Sequence, residues 1–337
     1  MEQTVTPFEQ ISEALPSGYK AREFRDSDRE AWVEDRNAER HELQHSSADE
    51  WRDWEKLNSP EDLFRVTVEA GDDRPVAGAE VGPGFFPRPD GALHGGVSVM
   101  RAHRKKGLGS ALLGVMEVEA RRRQAPRILA GVSSSMAGAL EWAQQRGYRE
   151  IGRRIESYVY VQTFDPAPFT DVVDRVNASG LTLRSLTEVL AGRDADSAEQ
   201  FWRDLYDADA PMWEDVPWSS PTPHIPWDKF RKMMVESGKI IPEATIIALD
   251  GDKIAGYTST GKSGTDRGYT YMTGTGRDYR GRGIGTAIKV AMLAGAKKTG
   301  LRAMLTTNDE PNKAMRGINA KLGYVMLPAH IELEKKL

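Results

Sequence analysis

A glycine-rich loop occurs twice in this chain at a fixed spacing, and that repetition constrains the fold more than any other feature. Arg104-Lys105-Lys106-Gly107-Leu108-Gly109 runs into the helix-like Ser110-Ala111-Leu112-Leu113, and Arg280-Gly281-Arg282-Gly283-Ile284-Gly285 runs into Thr286-Ala287-Ile288-Lys289. Each copy is followed by a Gly-Tyr pair, Gly147-Tyr148 and Gly323-Tyr324. One offset relates them all (280 minus 104, 283 minus 107 and 323 minus 147 are each 176). Two copies in register imply a duplicated domain, and 337 residues are too many for one ordinary core and comfortable for two.

Regular structure follows the same repeat. In the first half, Tyr19 to Arg25 reads as a strand and the charged stretch from Asp26 to Leu57 as two helices. Three strands follow, at Leu63 to Val68, Pro75 to Val81 and Leu93 to Met100. The helix after the loop ends in Arg121-Arg122-Arg123, where cations complement its C-terminus. Arg127 to Val132 is then a strand, Ser135 to Arg146 a helix stopped by Gly147, and Tyr148 to Val161 a strand pair.

Pro166 and Pro168, in Thr163-Phe164-Asp165-Pro166-Ala167-Pro168, remove backbone donors and restrict their predecessors, so this stretch marks the boundary. The expected organisation is a domain over 1–164, a linker over 165–179 and a second domain over 180–337. The second repeats the order and carries extra length at the proline- and tryptophan-rich Pro211 to Trp227. The expected fold class is α/β, with a mixed sheet in each domain.

Composition narrows the function. A formal net charge of -4 argues against a nucleic-acid surface, which needs a basic excess. The absence of cysteine excludes disulfides, thiolate nucleophiles and cysteine metal sites, and no metal centre is expected. No apolar run approaches the length of a membrane span, and Met1-Glu2-Gln3-Thr4 carries neither a basic nor an apolar leader segment. The expectation is a cytoplasmic protein with no membrane partner.

A strand that turns through glycines into a helix leaves backbone N–H groups unpaired and converging, with the helix dipole adding positive potential. Glycines at 107 and 109, or 283 and 285, let a ligand approach the main chain closely, which suits a pyrophosphate. A Walker loop would end in Gly-Lys-Ser/Thr, and a dinucleotide fingerprint would read Gly-x-Gly-x-x-Gly in a parallel βαβ unit; neither is present.

The pattern Arg/Gln-x-x-Gly-x-Gly/Ala after a strand, with this order of elements, resembles the GNAT N-acetyltransferase superfamily. The resemblance covers nearly the whole chain as two tandem domains. It implies an acyl-CoA N-acyltransferase fold in which the loop amides hold the pyrophosphate of acetyl-CoA.

Residue by residue, the resemblance implies coenzyme A contacts in the second copy from Arg280, Gly281, Arg282, Gly283, Ile284, Gly285 and Thr286. The strand residues Thr273 and Thr275 would lie along the pantetheine arm. Asn312 stands where the family often places a cofactor-binding amide, and Asn308, a further cofactor candidate, ends the preceding strand in the Thr307-Asn308-Asp309 turn; the two also suit a helix cap and a turn. The first copy keeps Val97, Val99, Arg104, Lys105, Lys106, Gly107, Leu108, Gly109 and Ser110, but has Met136 and Ala143 where the second has Asn312 and Asn319. The second half is therefore read as catalytic and the first as degenerate.

Many family members carry a tyrosine at the Asn319 position as the acid for the departing thiolate. An amide donates a hydrogen bond to sulfur but supplies no titrating proton, leaving water, Tyr324 or Tyr271 as alternatives.

The acceptor wall of the second domain would contain Trp202, Tyr206, Asp207, Asp209, Trp213, Glu214, Asp215, Trp218 and Trp227, a set suited to a cationic amine. Glu214 and Asp215 are base candidates, or else solvated and capping carboxylates. His224 and His103 receive no role. The expected function is acetyl transfer to a primary amine of a small molecule by direct attack in a ternary complex. Protein Nα or lysine acetylation is the alternative enzyme activity, and acyl-CoA binding without turnover the non-enzymatic one.

Overall fold

A computed structural model describes residues 7–58, 62–218 and 222–337. In chain order the first half contains α1 (Pro7–Glu13), β1 (Lys20–Arg22), α2 (Asp28–Asn37), α3 (Ala48–Asn58), β2 (Phe64–Glu69), β3 (Pro75–Gly82), β4 (Leu93–Val99), α4 (Leu108–Arg122), β5 (Arg127–Ser133), α5 (Ala137–Gln144) and β6 (Arg149–Tyr160). The second half contains α6 (Thr170–Ala178), β7 (Thr182–Ser185), α7 (Leu186–Leu190), α8 (Ala195–Glu214), α9 (Trp227–Arg231), β8 (Ile246–Asp250), β9 (Lys253–Ser263), β10 (Arg267–Thr275), α10 (Ile284–Lys298), β11 (Ala303–Asp309), α11 (Lys313–Lys321), β12 (Val325–Met326) and β13 (His330–Lys336). No described helix is long and apolar enough to cross a membrane.

The chain packs as two compact units, the first of residues up to 152 with 222–223 and 330–337, the second of 153–218 and 224–329. Both have a mixed α/β architecture with one parallel strand pair. In the first, β1, β2, β3 and β4 run antiparallel, β4 lies parallel to β5, and β13 pairs antiparallel with β5 from His330↔Ser133 to Lys336↔Arg127. Val66, Val68, Ala77, Ala79 and Val81 alternate onto the face that buries Leu108, Leu112 and Met116 of α4. Such side chains contribute about 1.5–3 kcal/mol each on full burial.

In the second unit, β7, β8, β9 and β10 are antiparallel and β10 is parallel to β11. Residues 154–160 of β6 pair antiparallel with β11, and β12 joins the far side of β6. The core beneath α10 contains Ile246, Ala248, Ala255, Ile284, Ile288, Met292, Met304 and Leu322.

Three details depart from the sequence expectation. Where the sequence suggested a strand pair over Tyr148 to Val161, one continuous strand forms, β6 (Arg149–Tyr160), because Gly152 is its only flexible residue and no turn pair interrupts it. The final strand, β13, packs in the first unit, whereas the order of elements placed it in a domain ending at 337. Helix α8 continues through Pro211 to Glu214, into the proline- and tryptophan-rich stretch read from the sequence only as extra length. Only the last turn lies beyond the proline, so a single backbone donor is lost near an end already fraying.

Candidate functional site

The two glycine loops adopt one backbone conformation. Gly107 and Gly283 are the helix N-caps, with φ 90° and 84°, and Arg104 and Arg280 precede them in extended backbone at φ -67° and -68°. Lys105 holds the left-handed φ of 62° that Gly281 holds at 78°, a strained conformation for a lysine. In both copies the first N–H groups of a fifteen-residue helix face the loop. Anion-binding geometry is thus built twice, and the loop residues fit a pyrophosphate.

The arginines of the loops are braced alike. Arg104 donates through Nε to the Val99 carbonyl and through both terminal nitrogens to Glu39 at 2.6 and 2.7 Å. Arg280 donates to the Thr275 carbonyl and to Asp215, which also takes a bidentate pair from Arg277 at 2.9 and 2.8 Å. Glu39 and Asp215 obey the offset of the loops (215 minus 39 is 176). The Arg277 and Arg280 hydrogen bonds lower Asp215 to about 2. A carboxylate so stabilised is a poor proton acceptor, and its contacts are those of a brace for the loop arginines.

Glu214 is exposed and lies 3.5 Å from Arg277. In Asp215→Asn, loss of exposed ion pairs worth about 0.2–1 kcal/mol each should weaken binding of a diphosphate ligand at the second loop a few-fold. Calorimetric titration of wild type and variant checks this.

Beside each loop the parallel strands separate. In the second unit β10 and β11 pair from Arg267↔Ala303 to Thr270↔Thr306 and then diverge, and in the first β4 and β5 pair only at Leu93↔Ile128 and His94↔Leu129. His94 and Thr270 are offset mates (270 minus 94 is 176), so both openings begin at one place in the repeat. The second carries a feature that the first does not. The β9–β10 register slips between Thr270 and Met272, leaving Tyr271 as a bulge, whereas β3–β4 is regular from Ala77↔Val99 to Gly82↔His94. A bulge turns a backbone N–H out of the ladder at the mouth of the opening.

The first opening also differs at its loop. Arg146 stacks 4.2 Å over Trp142 and donates to the Ser110 hydroxyl at 3.0 Å. The Trp142 ring stands against Gly109, leaving 3.4 Å to where a Cβ would sit. In the second unit Ile318 takes the place of Trp142.

Thr273 and Thr275 sit on β10 past the bulge, and the Thr273 hydroxyl meets that of Thr258 at 2.9 Å. Asn312 caps α11, accepting from the Met315 N–H at 3.2 Å. Asn319 is buried on α11 and donates to Asn308 Oδ1 at 2.6 Å, while its own Oδ1 is buried without a partner. That orphaned acceptor, beside the diverging strands, is suited to a ligand donor such as a pantetheine amide.

The acceptor wall forms differently from its sequence reading. Its carboxylates are engaged or face solvent. Asp209 is buried, bonded to His224 Nε2 at 2.9 Å and to the Tyr257 hydroxyl at 2.6 Å, and Asp207 is exposed. The Trp227 face is covered by Arg203 at 3.7 Å. What remains is an aromatic cluster in which Tyr206 and Trp213 lie 4.7 and 6.0 Å from the His224 ring, and Trp218 lies 4.7 Å from Trp213.

His224 was given no role in the sequence, yet the fold delivers an imidazole oriented by a buried carboxylate. Its one sequence signal is the helical spacing of Tyr206, Asp209 and Trp213, which places a carboxylate between two aromatics on one face of α8. Met212 of α8 lies against Gly274 of β10, leaving 2.5 Å to where a Cβ would sit, so this face of the helix covers the strand that carries the bulge.

Duplicated diphosphate loops, parallel strands that open beside them, and a bulge at one opening define an acyl-CoA-binding fold. The sequence model of the Acetyltransferase (GNAT) family matches residues 22–148 and again 202–324, and the chain belongs to that family as a tandem of two such domains. A GCN5-related N-acetyltransferase from Sphaerobacter thermophilus is similar in structure, with 22% identity, 96% of each chain covered and a TM-score of 0.72. A tandem GNAT protein from the clavulanic acid biosynthesis pathway aligns over 94% of this chain and 98% of its own at 18% identity and TM-score 0.71. A glucosamine N-acetyltransferase region of a fungal multi-domain β-N-acetylglucosaminidase reaches TM-score 0.67 at 14% identity, with 95% of this chain and 38% of that one covered. None of the curated proteins matches the sequence.

Proposed function

We propose that the second unit is an acetyl-CoA-dependent N-acetyltransferase for a primary amine of a small molecule, and that the first unit is a non-catalytic partner. The observation that carries this reading is the bulge at Tyr271, present at the second opening and absent from the first. Acetyl-CoA, when bound, supplies an acyl group activated as a thioester.

The N–H groups of Ile284 and Gly285 hold the diphosphate at the start of α10. The bulged N–H of β10 is a preorganised donor for charge developing on the acyl oxygen, an effect that typically contributes a hundredfold or more. His224, oriented by Asp209, takes the proton from the attacking amine, a role that Asp215 cannot fill while bound by two arginines. A small-molecule acceptor is supported by the aromatic cluster around His224, whose ring faces suit a compact amine. It also agrees with the structural neighbours from the clavulanic acid biosynthesis pathway and from a glucosamine N-acetyltransferase region.

The test is thiol release from acetyl-CoA with a panel of amino sugars, arylalkylamines, polyamines and peptide N-termini. Turnover with a small amine supports the reading. Turnover with peptides alone moves the acceptor to protein, and binding without release leaves an acyl-CoA-binding protein. In His224→Gln, kcat/KM should fall roughly 100-fold with acetyl-CoA affinity unchanged by calorimetry. A variant that keeps wild-type turnover would remove His224 from the mechanism.

A further inference from the structure

The two faces of the second sheet serve different helices. A Cβ on Gly256 of β9 would lie 3.3 Å from Ile288 of α10, so the next residue, Tyr257, points to the opposite face, where its hydroxyl meets Asp209 of α8. On β10, Thr275 lies beside Gly285 in the first turn of α10, and Gly274 lies beneath Met212 of α8. A diphosphate held by α10 and an amine held near His224 therefore approach from opposite faces, with the opening between β10 and β11 as their meeting point.

Arg154 stands on the α8 face at that opening. Gly268 of β10 is directed at Met304 under α10, so Tyr269 is directed away, and its hydroxyl donates to Thr307 Oγ1 at 2.7 Å. Thr307 is the first residue of β11 beyond the last pair with β10. Asp309 alternates onto the same face, and β6 sets Glu156 opposite Thr307 and Arg154 opposite Asp309. The Arg154 charge acts on the buried Tyr269 phenol, which agrees with a guanidinium beside the Tyr269–Thr307 pair. Arg154 is half-buried, and its Nε is buried without a hydrogen-bond partner. Among the described residues no carboxylate, Asp309 included, pairs with it. The loop arginines Arg104 and Arg280, by contrast, are each held by an acid.

The repeat makes this cation particular to the second unit. In the first unit β13 pairs with β5 as β6 pairs with β11 in the second. The offset mates of Arg154 and Thr307 are His330 and Gly131 (330 minus 154 and 307 minus 131 are each 176). There the His330 ring lies over Gly131, where any Cβ would collide with it, and Leu93 stands in place of Tyr269 (269 minus 176). The first opening thus has an imidazole packed on bare backbone, and the second a guanidinium, a phenol and a hydroxyl in one group.

We propose that Arg154 holds a carboxylate or phosphate carried by the amine acceptor of the second unit, so that its preferred substrates are small amines bearing an anion. This rests on the transferase reading given above. A guanidinium makes charge-assisted hydrogen bonds to either anion, and partial burial strengthens them. Burial raises the pKa of Tyr269, so the phenol keeps its proton for Thr307 and adds no competing negative charge.

Matched amines test this in the wild-type protein by thiol release from acetyl-CoA. The sets are glucosamine phosphate against glucosamine, γ-aminobutyrate against butylamine, and phenylalanine against phenethylamine. An anionic member should exceed its neutral counterpart in kcat/KM by roughly 10- to 100-fold, and the set that shows it tells phosphate from carboxylate. In Arg154→Met that advantage should vanish through the acceptor KM, with kcat, turnover of the neutral amines and calorimetric acetyl-CoA affinity unchanged. Arg154→Lys should restore part of it, as a point charge without the planar fork. Wild-type turnover that ignores the anion in every set overturns the proposal and leaves the transferase reading intact. Equal losses with anionic and neutral amines in Arg154→Met overturn it in favour of a structural role. Absence of thiol release from the wild type with every amine overturns the transferase reading and this one together.

Discussion

Gly283→Val should abolish acetyl-CoA binding to the second unit, and Gly107→Val should leave turnover within about twofold. Gly283 caps α10 at φ 84°, a region that costs an L-residue about 1–2 kcal/mol and a β-branched one more. A Cβ there would also lie 2.7 Å from Val172 Cγ2, so either α6 or the loop must move. Displacing the loop turns the Ile284 and Gly285 amides away from a common point. Two charge-assisted hydrogen bonds at about 1.5–3 kcal/mol each correspond to at least a 100-fold loss of affinity. Gly107, at φ 90° and with 3.3 Å to Pro16, is nearly as intolerant of valine, so the two variants damage their loops comparably. Calorimetric titration with coenzyme A and thiol-release rates separate them. Damage confined to Gly107→Val would transfer the active site to the first unit.

The duplicated loops were legible because a left-handed helix cap and a close phosphate approach both demand glycine, and so write themselves into the sequence at fixed spacing. The strand and helix order followed from hydrophobic periodicity. Partners of the closing strands were not legible. Residues 149–160 and 330–336 alternate as strands should, but a period of two states which face is buried and not which neighbour is bonded.

The Asp209–His224 pair joins residues whose sequence spacing carries no regular-structure signal, so only the fold of the segment after α8 reveals it. The Arg277–Asp215–Arg280 cluster was hidden for a related reason. An acidic residue ending a helix reads as solvated until the loop that pairs with it is in place. Lys289 had a signal that composition masks. Ile284–Lys298 is apolar on every side through its middle turns, with Ala287, Ile288, Val290, Met292 and Leu293 all buried, so a lysine among them has no solvent face to reach.

That burial predicts an unusual dependence of stability on pH. In the unfolded chain Lys289 keeps its proton to about 10.4, whereas the folded protein releases it near 7. Between those values the unfolded state binds the extra proton, so the free energy of unfolding rises with pH, by about 1.4 kcal/mol per unit for this one group. Below pH 7 both states are protonated and the contribution is flat. From pH 7 to pH 10 the second unit should gain roughly 4 kcal/mol, which for a body of its size is a rise of about 10 °C in its melting transition. Tyr324, Tyr257 and Tyr271 do not counterfeit this rise, because burial raises their pKa values and keeps them neutral over the window. Lys289→Leu serves as the reference. Its transition should lie above that of the wild type at pH 7, and the two should converge as pH approaches 10. Parallel curves for the two proteins would mean that Lys289 remains charged in the folded state.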